Sequence, residues 1–302
     1  MAVATRRWLV PSVCLLVGYV AGTSLPGLRA DPQSAPPAVT PAFPMSDRLG
    51  ANLYLETSAE YRACCLQIFR VAGDRLDLLL HRPGPRPTRP AVVMDLDETV
   101  LDNSAFETYL YNNKLEYTDA LWEFYEEKFP QDVGTVPGAV DFIHRAESLG
   151  VTVLFVTNRL EKYRDSTAKA LANVGIDTRD LPARTGFKTT TSDKSSRRDA
   201  FDARFNVLLH IGDNLRDFSE SFAAPKLAKD APASAFEHAI AARLKSADDA
   251  ACHWGIDWFI LPNPVYGEWE KLLGDDPRAR MRNTTMPGSR TNMKNSVMEP
   301  AR

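Results

Sequence analysis

Carboxylates follow apolar runs at two places in this chain, and those junctions are where chemistry is expected. Val92-Val93-Met94 leads into Asp95-Leu96-Asp97-Glu98-Thr99-Val100-Leu101-Asp102-Asn103. Carboxylates this close repel one another unless a proton or a cation sits among them. Asp95 and Asp97, two apart on an extended chain, project to the same side. One can then attack phosphorus while the other handles a proton, and a hard magnesium ion would bridge their oxygens to a phosphate. A lone D-x-D is also an ordinary strand end or helix cap, so its meaning depends on its company.

That company is found further along the chain. Leu208-Leu209-His210-Ile211-Gly212 ends in Asp213-Asn214-Leu215-Arg216-Asp217-Phe218. Asp213 would complete a metal site, and Asp217, one helical turn on, would orient a ligand or a metal-bound water. Thr157-Asn158-Arg159 follow the apolar run Val151–Val156 and offer a hydroxyl and backbone N–H groups to phosphate oxygens. A phosphoryl group also calls for a cation. Lys194, within Ser192-Asp193-Lys194-Ser195-Ser196-Arg197-Arg198, is the first choice; Lys188, Arg197 and Arg198 compete for the role.

The elements that must position these groups follow from periodicity. Four short apolar runs, Ala91–Asp95, Val151–Thr157, Val207–Gly212 and Trp258–Leu261, read as buried strands of a parallel sheet. Helical patterns at Ala139–Leu149 and Tyr163–Val174 lie between them, which predicts a doubly wound α/β domain with sites at the carboxyl ends of its strands. Residues 103–136 break the alternation and are dense in aromatics, which predicts a helical cap. Residues 47–85 form a further helical segment, with Gly73 as a break and prolines from Pro83 onward ending it.

The ends have a different character. Arg6-Arg7 precede an apolar run from Trp8 to about Ala21, too short for a comfortable membrane span, so residues 1–30 are expected to be an export signal. Twin-arginine and general secretory routes both fit, as do cleavage after Ala30, cleavage near Ala21-Gly22, or retention as an anchor. Residues 31–46, with five prolines, read as a linker, and residues 274–302 as a disordered tail. The net charge of -3 gives no global field for a nucleic-acid polymer. Of four cysteines, Cys14 falls in the signal. That leaves Cys64, Cys65 and Cys252 either as buried thiols or with Cys252 bridged to one of the pair.

The two acidic strings resemble the signatures of the bacterial class C acid phosphatases, in the haloacid dehalogenase (HAD) superfamily. Thr57-Ser58-Ala59-Glu60-Tyr61-Arg62-Ala63 and Leu261-Pro262-Asn263-Pro264-Val265-Tyr266-Gly267-Glu268-Trp269-Glu270 look like that class's flanking segments, so the resemblance spans about 47–273. Phe106 stands where the signature usually has Tyr, and Leu208 where it usually has Val or Ile. Some relatives are lipoproteins, but Pro11-Ser12-Val13 before Cys14 argues against a lipid anchor here.

The resemblance implies an exported phosphomonoesterase, periplasmic, secreted or on the cell surface. Asp95 would be the nucleophile and Asp97 the acid and base. Asp95, Asp97 through its carbonyl, and Asp213 would ligate Mg2+, with Asp217 in support. Thr157, Asn158 and Lys194 would hold phosphoryl oxygens. Nucleoside monophosphates are the implied substrates, with Trp122, Tyr125 and Tyr266 as candidates to stack on a base, although cap aromatics more often pack on one another. A homo-oligomer is compatible with this reading. A non-catalytic binding or storage protein on the same fold and a phosphotransferase are the alternatives.

Overall fold

The computed structural model describes residues 48–281, apart from 229 and 275. The expected signal (1–30), linker (31–46) and most of the tail (274–302) lie outside the described residues.

Ser58, and not Gly73, interrupts the N-terminal helical stretch. Helix α1 (Leu49–Thr57) ends there and α2 (Ala59–His81) begins, with Ser58 Oγ accepting the Tyr61 N–H at 3.0 Å. Tyr61, Cys65, Phe69, Ala72, Leu76 and Leu80 recur every three or four residues along α2 and form its buried stripe. Gly73 sits inside this helix because Arg145 crosses there: a Cβ on Gly73 would lie 2.5 Å from Arg145 Nη1. The guanidinium pairs with Asp74 at 3.2 Å and with Asp77. Cys65 is buried, Cys64 and Cys252 are exposed, and all three thiols are free, so Cys252 is not bridged to the pair.

The chain continues through β1 (Pro90–Met94), β2 (Leu101–Asp102), α3 (Ser104–Asn113), α4 (Asp119–Lys128), β3 (Gly134–Thr135), α5 (Ala139–Ser148) and β4 (Thr152–Leu160). It then forms α6 (Arg164–Asn173), α7 (Leu181–Arg184), β5 (Thr185–Lys188), α8 (Ser195–Asp202), β6 (Asn206–Gly212), α9 (Ala233–Asp249) and β7 (Trp258–Ile260). Five strands make one parallel sheet in the order β5-β4-β1-β6-β7. This is the expected doubly wound α/β architecture. Strand alternation sorts the core into two faces. Val92, Met94, Val153 and Phe155 pack into one apolar cluster with α2 and α5, while Ala91, Val93, Leu154 and Val156 meet Phe201 of α8 in another.

The strand order reverses at β1, whose neighbours β4 and β6 lead to opposite edges, so the loops after β1 and β6 part above a crevice. Strand β5 was not foreseen, because Thr185-Gly186-Phe187-Lys188 has a single large apolar residue. Strand β4 runs past the expected end at Thr157. Its register against β5 shifts between Val156 and Leu160, which leaves Thr157-Asn158-Arg159 as a bulge at the sheet's edge. The cap leaves through β2 and returns through β3, an antiparallel pair that forms its stem. Its aromatics pack on one another: Phe106 stacks on Tyr125 with centroids 4.9 Å apart and meets Trp122 edge-on at 5.4 Å.

Candidate active site

A pocket of about 630 Å³ opens over the carboxyl ends of β1 and β6 and beneath the cap. Asp95 enters it directly from β1, fixed by its own N–H, which donates to the Ile211 carbonyl at 3.0 Å. Lys194, 4 % exposed at the start of α8, places Nζ 2.7 Å from Asp95 Oδ1 and 2.7 Å from Asp217 Oδ1. Burial acts to neutralise the ammonium, yet the two carboxylates hold its pKa above the usual lysine range. Its backbone N–H donates to Glu220 Oε1 at 2.7 Å, so both ends of the residue are held.

Asp213 and Asp217 come from the turn after β6. Asp217 Oδ2 accepts the Asn214 N–H at 2.9 Å, so both of its oxygens are engaged. Gly212 makes room for it, since a Cβ there would lie 2.3 Å from Asp217 Oδ2. Asp213 accepts from Thr99 Oγ1 at 3.3 Å and from Asn263 Nδ2 at 2.8 Å. Burial pushes the Asp213 carboxyl up to about 7, with the charge of Asp217 adding and the Asn263 hydrogen bond and Lys194 opposing. Asp95 is likewise raised by burial, against the pull of Lys194 and with the push of three neighbouring carboxylates.

These residues fit a divalent cation. Ligand oxygens of Asp95, Asp213 and Asp217 lie within 4.8 Å of one another, all are hard donors, and the Lys194 ammonium pairs with only two of the three, Asp95 and Asp217. Both oxygens of Asp213 and both of Asp217 already accept hydrogen bonds, whereas Asp95 Oδ2 accepts none among the described residues, so Asp95 is the freest donor of the three.

Other expected site residues are placed as follows. Asp97 lines the pocket, and its Oδ1 accepts from Arg159 and Asn103. Thr157 is fully buried, its Oγ1 accepting the Arg159 N–H at 3.1 Å, whereas Asn158 lines the pocket. Trp122 and Tyr266 also line it. Tyr125 does not: it is 6 % exposed and packed between Phe106 and Phe129, so the candidate set for a base clamp loses it.

The supporting roles of two residues depend on contacts that their sequence position does not reveal. Arg197, weighed from the sequence as a cation for phosphate, instead donates to the Thr157 carbonyl, to Asn158 Oδ1 at 2.9 Å and to the Asp193 carbonyl at 2.9 Å, tying the β4 bulge to the Lys194 loop. Asn263 accepts the Val265 N–H at 3.0 Å while holding Asp213, and so links the metal-competent cluster to the Tyr266 loop. Its signal was the string Leu261–Glu270, recognised as family-like without a role.

A doubly wound sheet that ends two adjacent strands in carboxylates around one lysine sets out a site suited to a phosphoryl group beside a divalent cation. Residues 43–269 match the family described as HAD superfamily, subfamily IIIB (Acid phosphatase). A class C acid phosphatase from Bacillus anthracis, solved with tungstate bound, superposes with a TM-score of 0.65 at 25% identity, covering 84% of this chain and 98% of that one. A second structure of a class C acid phosphatase from the same organism gives the same values. The chain belongs to the HAD subfamily IIIB acid phosphatases, and it is a phosphomonoesterase.

Proposed function

We propose that this chain is an exported, magnesium-dependent acid phosphatase that hydrolyses phosphomonoesters, nucleoside monophosphates among them, through an aspartyl phosphate. The observation that carries this reading is Asp95 Oδ1, buried and 2.7 Å from Lys194, with Asp213 and Asp217 beside it. Asp95 attacks phosphorus; the P–O ester bond breaks as the leaving oxygen takes the proton of Asp97. Asp97 then takes a proton from a water whose oxygen attacks phosphorus, and the bond to Asp95 breaks to release inorganic phosphate. Lys194 and Asn158, which line the pocket, supply donors to the phosphoryl oxygens, and the Thr157 hydroxyl, buried next to Asn158, is the third candidate donor. Asp95, Asp213 and the Asp97 carbonyl would hold magnesium, which supplies charge neutralisation for the phosphoryl group. Trp122 and Tyr266 in the same pocket favour a planar base beyond the phosphate. Export rests on Arg6-Arg7 before the apolar run to Ala21.

A panel of AMP, NMN and p-nitrophenyl phosphate, assayed with magnesium and with chelator from acid to neutral pH, tests the reading. Equal efficiency on all three removes the nucleotide preference, and full activity in chelator removes the metal. Asp95→Asn should fold and bind metal but not turn over; wild-type turnover would sink the nucleophile. Accumulation of the intact chain in the cytosol of its native cell would refute export.

A further inference from the structure

Arg159 takes part in none of the steps above, yet its side chain is 0 % exposed. A permanently charged guanidinium is tolerated there only with partners. Nε and Nη2 both lie 2.8 Å from Asp97 Oδ1, and Nη2 also donates to Asn103 Oδ1 at 3.0 Å. Asn103 Nδ2 donates to the same Asp97 Oδ1 at 3.0 Å and to Glu98 Oε1 at 3.0 Å. The Trp122 ring covers the guanidinium, 5.5 Å from its centroid.

This arrangement treats the two oxygens of Asp97 unequally. Oδ1 faces only N–H donors, so a carboxyl proton has no place on it. Oδ2 takes no hydrogen bond among the described residues, and Asp97 lines the pocket. We propose that Arg159, with Asn103, is the positioning group that fixes Asp97 so that its transferable proton sits on Oδ2 and faces the leaving oxygen. This rests on the reading of Asp97 as proton donor. Arg159 itself gains and loses no proton; it decides from which oxygen of Asp97 the proton departs as the ester P–O bond breaks.

Leaving-group dependence tests it, because an alkoxide needs protonation to depart and p-nitrophenolate does not. The measurement is kcat/KM, which reports transfer to Asp95 even when hydrolysis of the aspartyl phosphate limits kcat. In the full chain, Arg159→Lys keeps the charge and loses the fork. It should lower kcat/KM for glycerol 2-phosphate about a hundredfold, the scale of one general acid, and for p-nitrophenyl phosphate only severalfold. Inhibition by inorganic phosphate should hold, because Arg159 is not in the phosphate cradle. Asn103→Ser, which removes the second donor without stranding a buried charge, should show the same selectivity to a smaller extent and serves if Arg159→Lys does not fold. Equal losses on the two esters in the folded variants overturn the proposal. Asp97→Asn separates it from the underlying reading. If Asp97→Asn discriminates between the esters and the Arg159 and Asn103 variants do not, only the proposal fails; if Asp97→Asn does not discriminate, Asp97 is not the donor and both fall.

Discussion

Asp217 holds the ammonium of Lys194 at 2.7 Å, and through it the positive charge beside Asp95. Lys194→Met would leave Asp95 and Asp217 buried without a counter-charge. It is expected to lower kcat/KM by about a hundredfold to a thousandfold, the scale of one lost oxyanion-type donor, and to destabilise the fold by about 3–5 kcal/mol. Asp217→Asn retains one acceptor for two donors, so an intermediate loss of about tenfold to a hundredfold is expected. Steady-state kinetics with a urea melt of each variant checks both; an Asp217→Asn enzyme with wild-type values in the two assays would contradict the coupling.

Asn263 does for Asp213 what Asp217 does for Lys194. With Asn263→Ala, the Asp213 carboxylate loses its 2.8 Å donor and the Tyr266 loop loses its anchor at Val265. The expected outcome is a concentration of magnesium for half-maximal activity raised about tenfold to a hundredfold, as for other groups that orient a ligand. An unchanged magnesium titration would show that Asp213 is held by other means.

Such supporting contacts mark the boundary of what the sequence makes legible. Asp95, Asp213, Asp217 and Lys194 could be read because each sits next to an apolar strand or opens a helix, so local pattern alone sets them at the sheet's edge. Asn263 lies 50 residues from Asp213, and Arg159 lies 62 from Asp97. These pairs meet only because the strand order brings β4 and the loop after β7 to the same edge, which no local pattern encodes. Trp122 and Tyr125 are neighbours on one helix face, and periodicity could not tell which borders the pocket and which stacks under Phe106.

The cap carries a pH-sensitive charge of its own. The Glu126 carboxyl, 1% exposed, is pushed up to about 7, chiefly by burial, with Arg159 pulling the other way. The unfolded group ionises near 4.5, so between those values the folded chain binds more protons, and stability falls as pH rises through that window. Glu126→Gln cannot ionise and still offers an acceptor to the Leu160 N–H that Glu126 Oε1 now accepts at 3.0 Å. It should match wild type near pH 4.5 and exceed it above pH 7, by up to about 3 kcal/mol. Denaturant melts at the two pH values decide; a gain confined to low pH has the wrong sign and would overturn the assignment.

Gly212 gives the most local test of the β6 turn. Its Cα faces the Asp217 side chain so closely that an added Cβ would lie 2.5 Å from Asp217 Cβ and 2.7 Å from its Cγ. Neither atom is the far end of a flexible chain, because Asp217 is tied to Lys194 and to the Asn214 N–H. Gly212→Ala must therefore move Asp217 or bend the strand end, and either shift pulls the carboxylate off Lys194. The expected phenotype is that of Asp217→Asn or worse, a loss of at least about tenfold in kcat/KM. Combining the two substitutions should give much less than the product of their separate losses, because both act through the same contact. Fully multiplicative losses would mean that Gly212 serves the strand and not the Asp217–Lys194 pair.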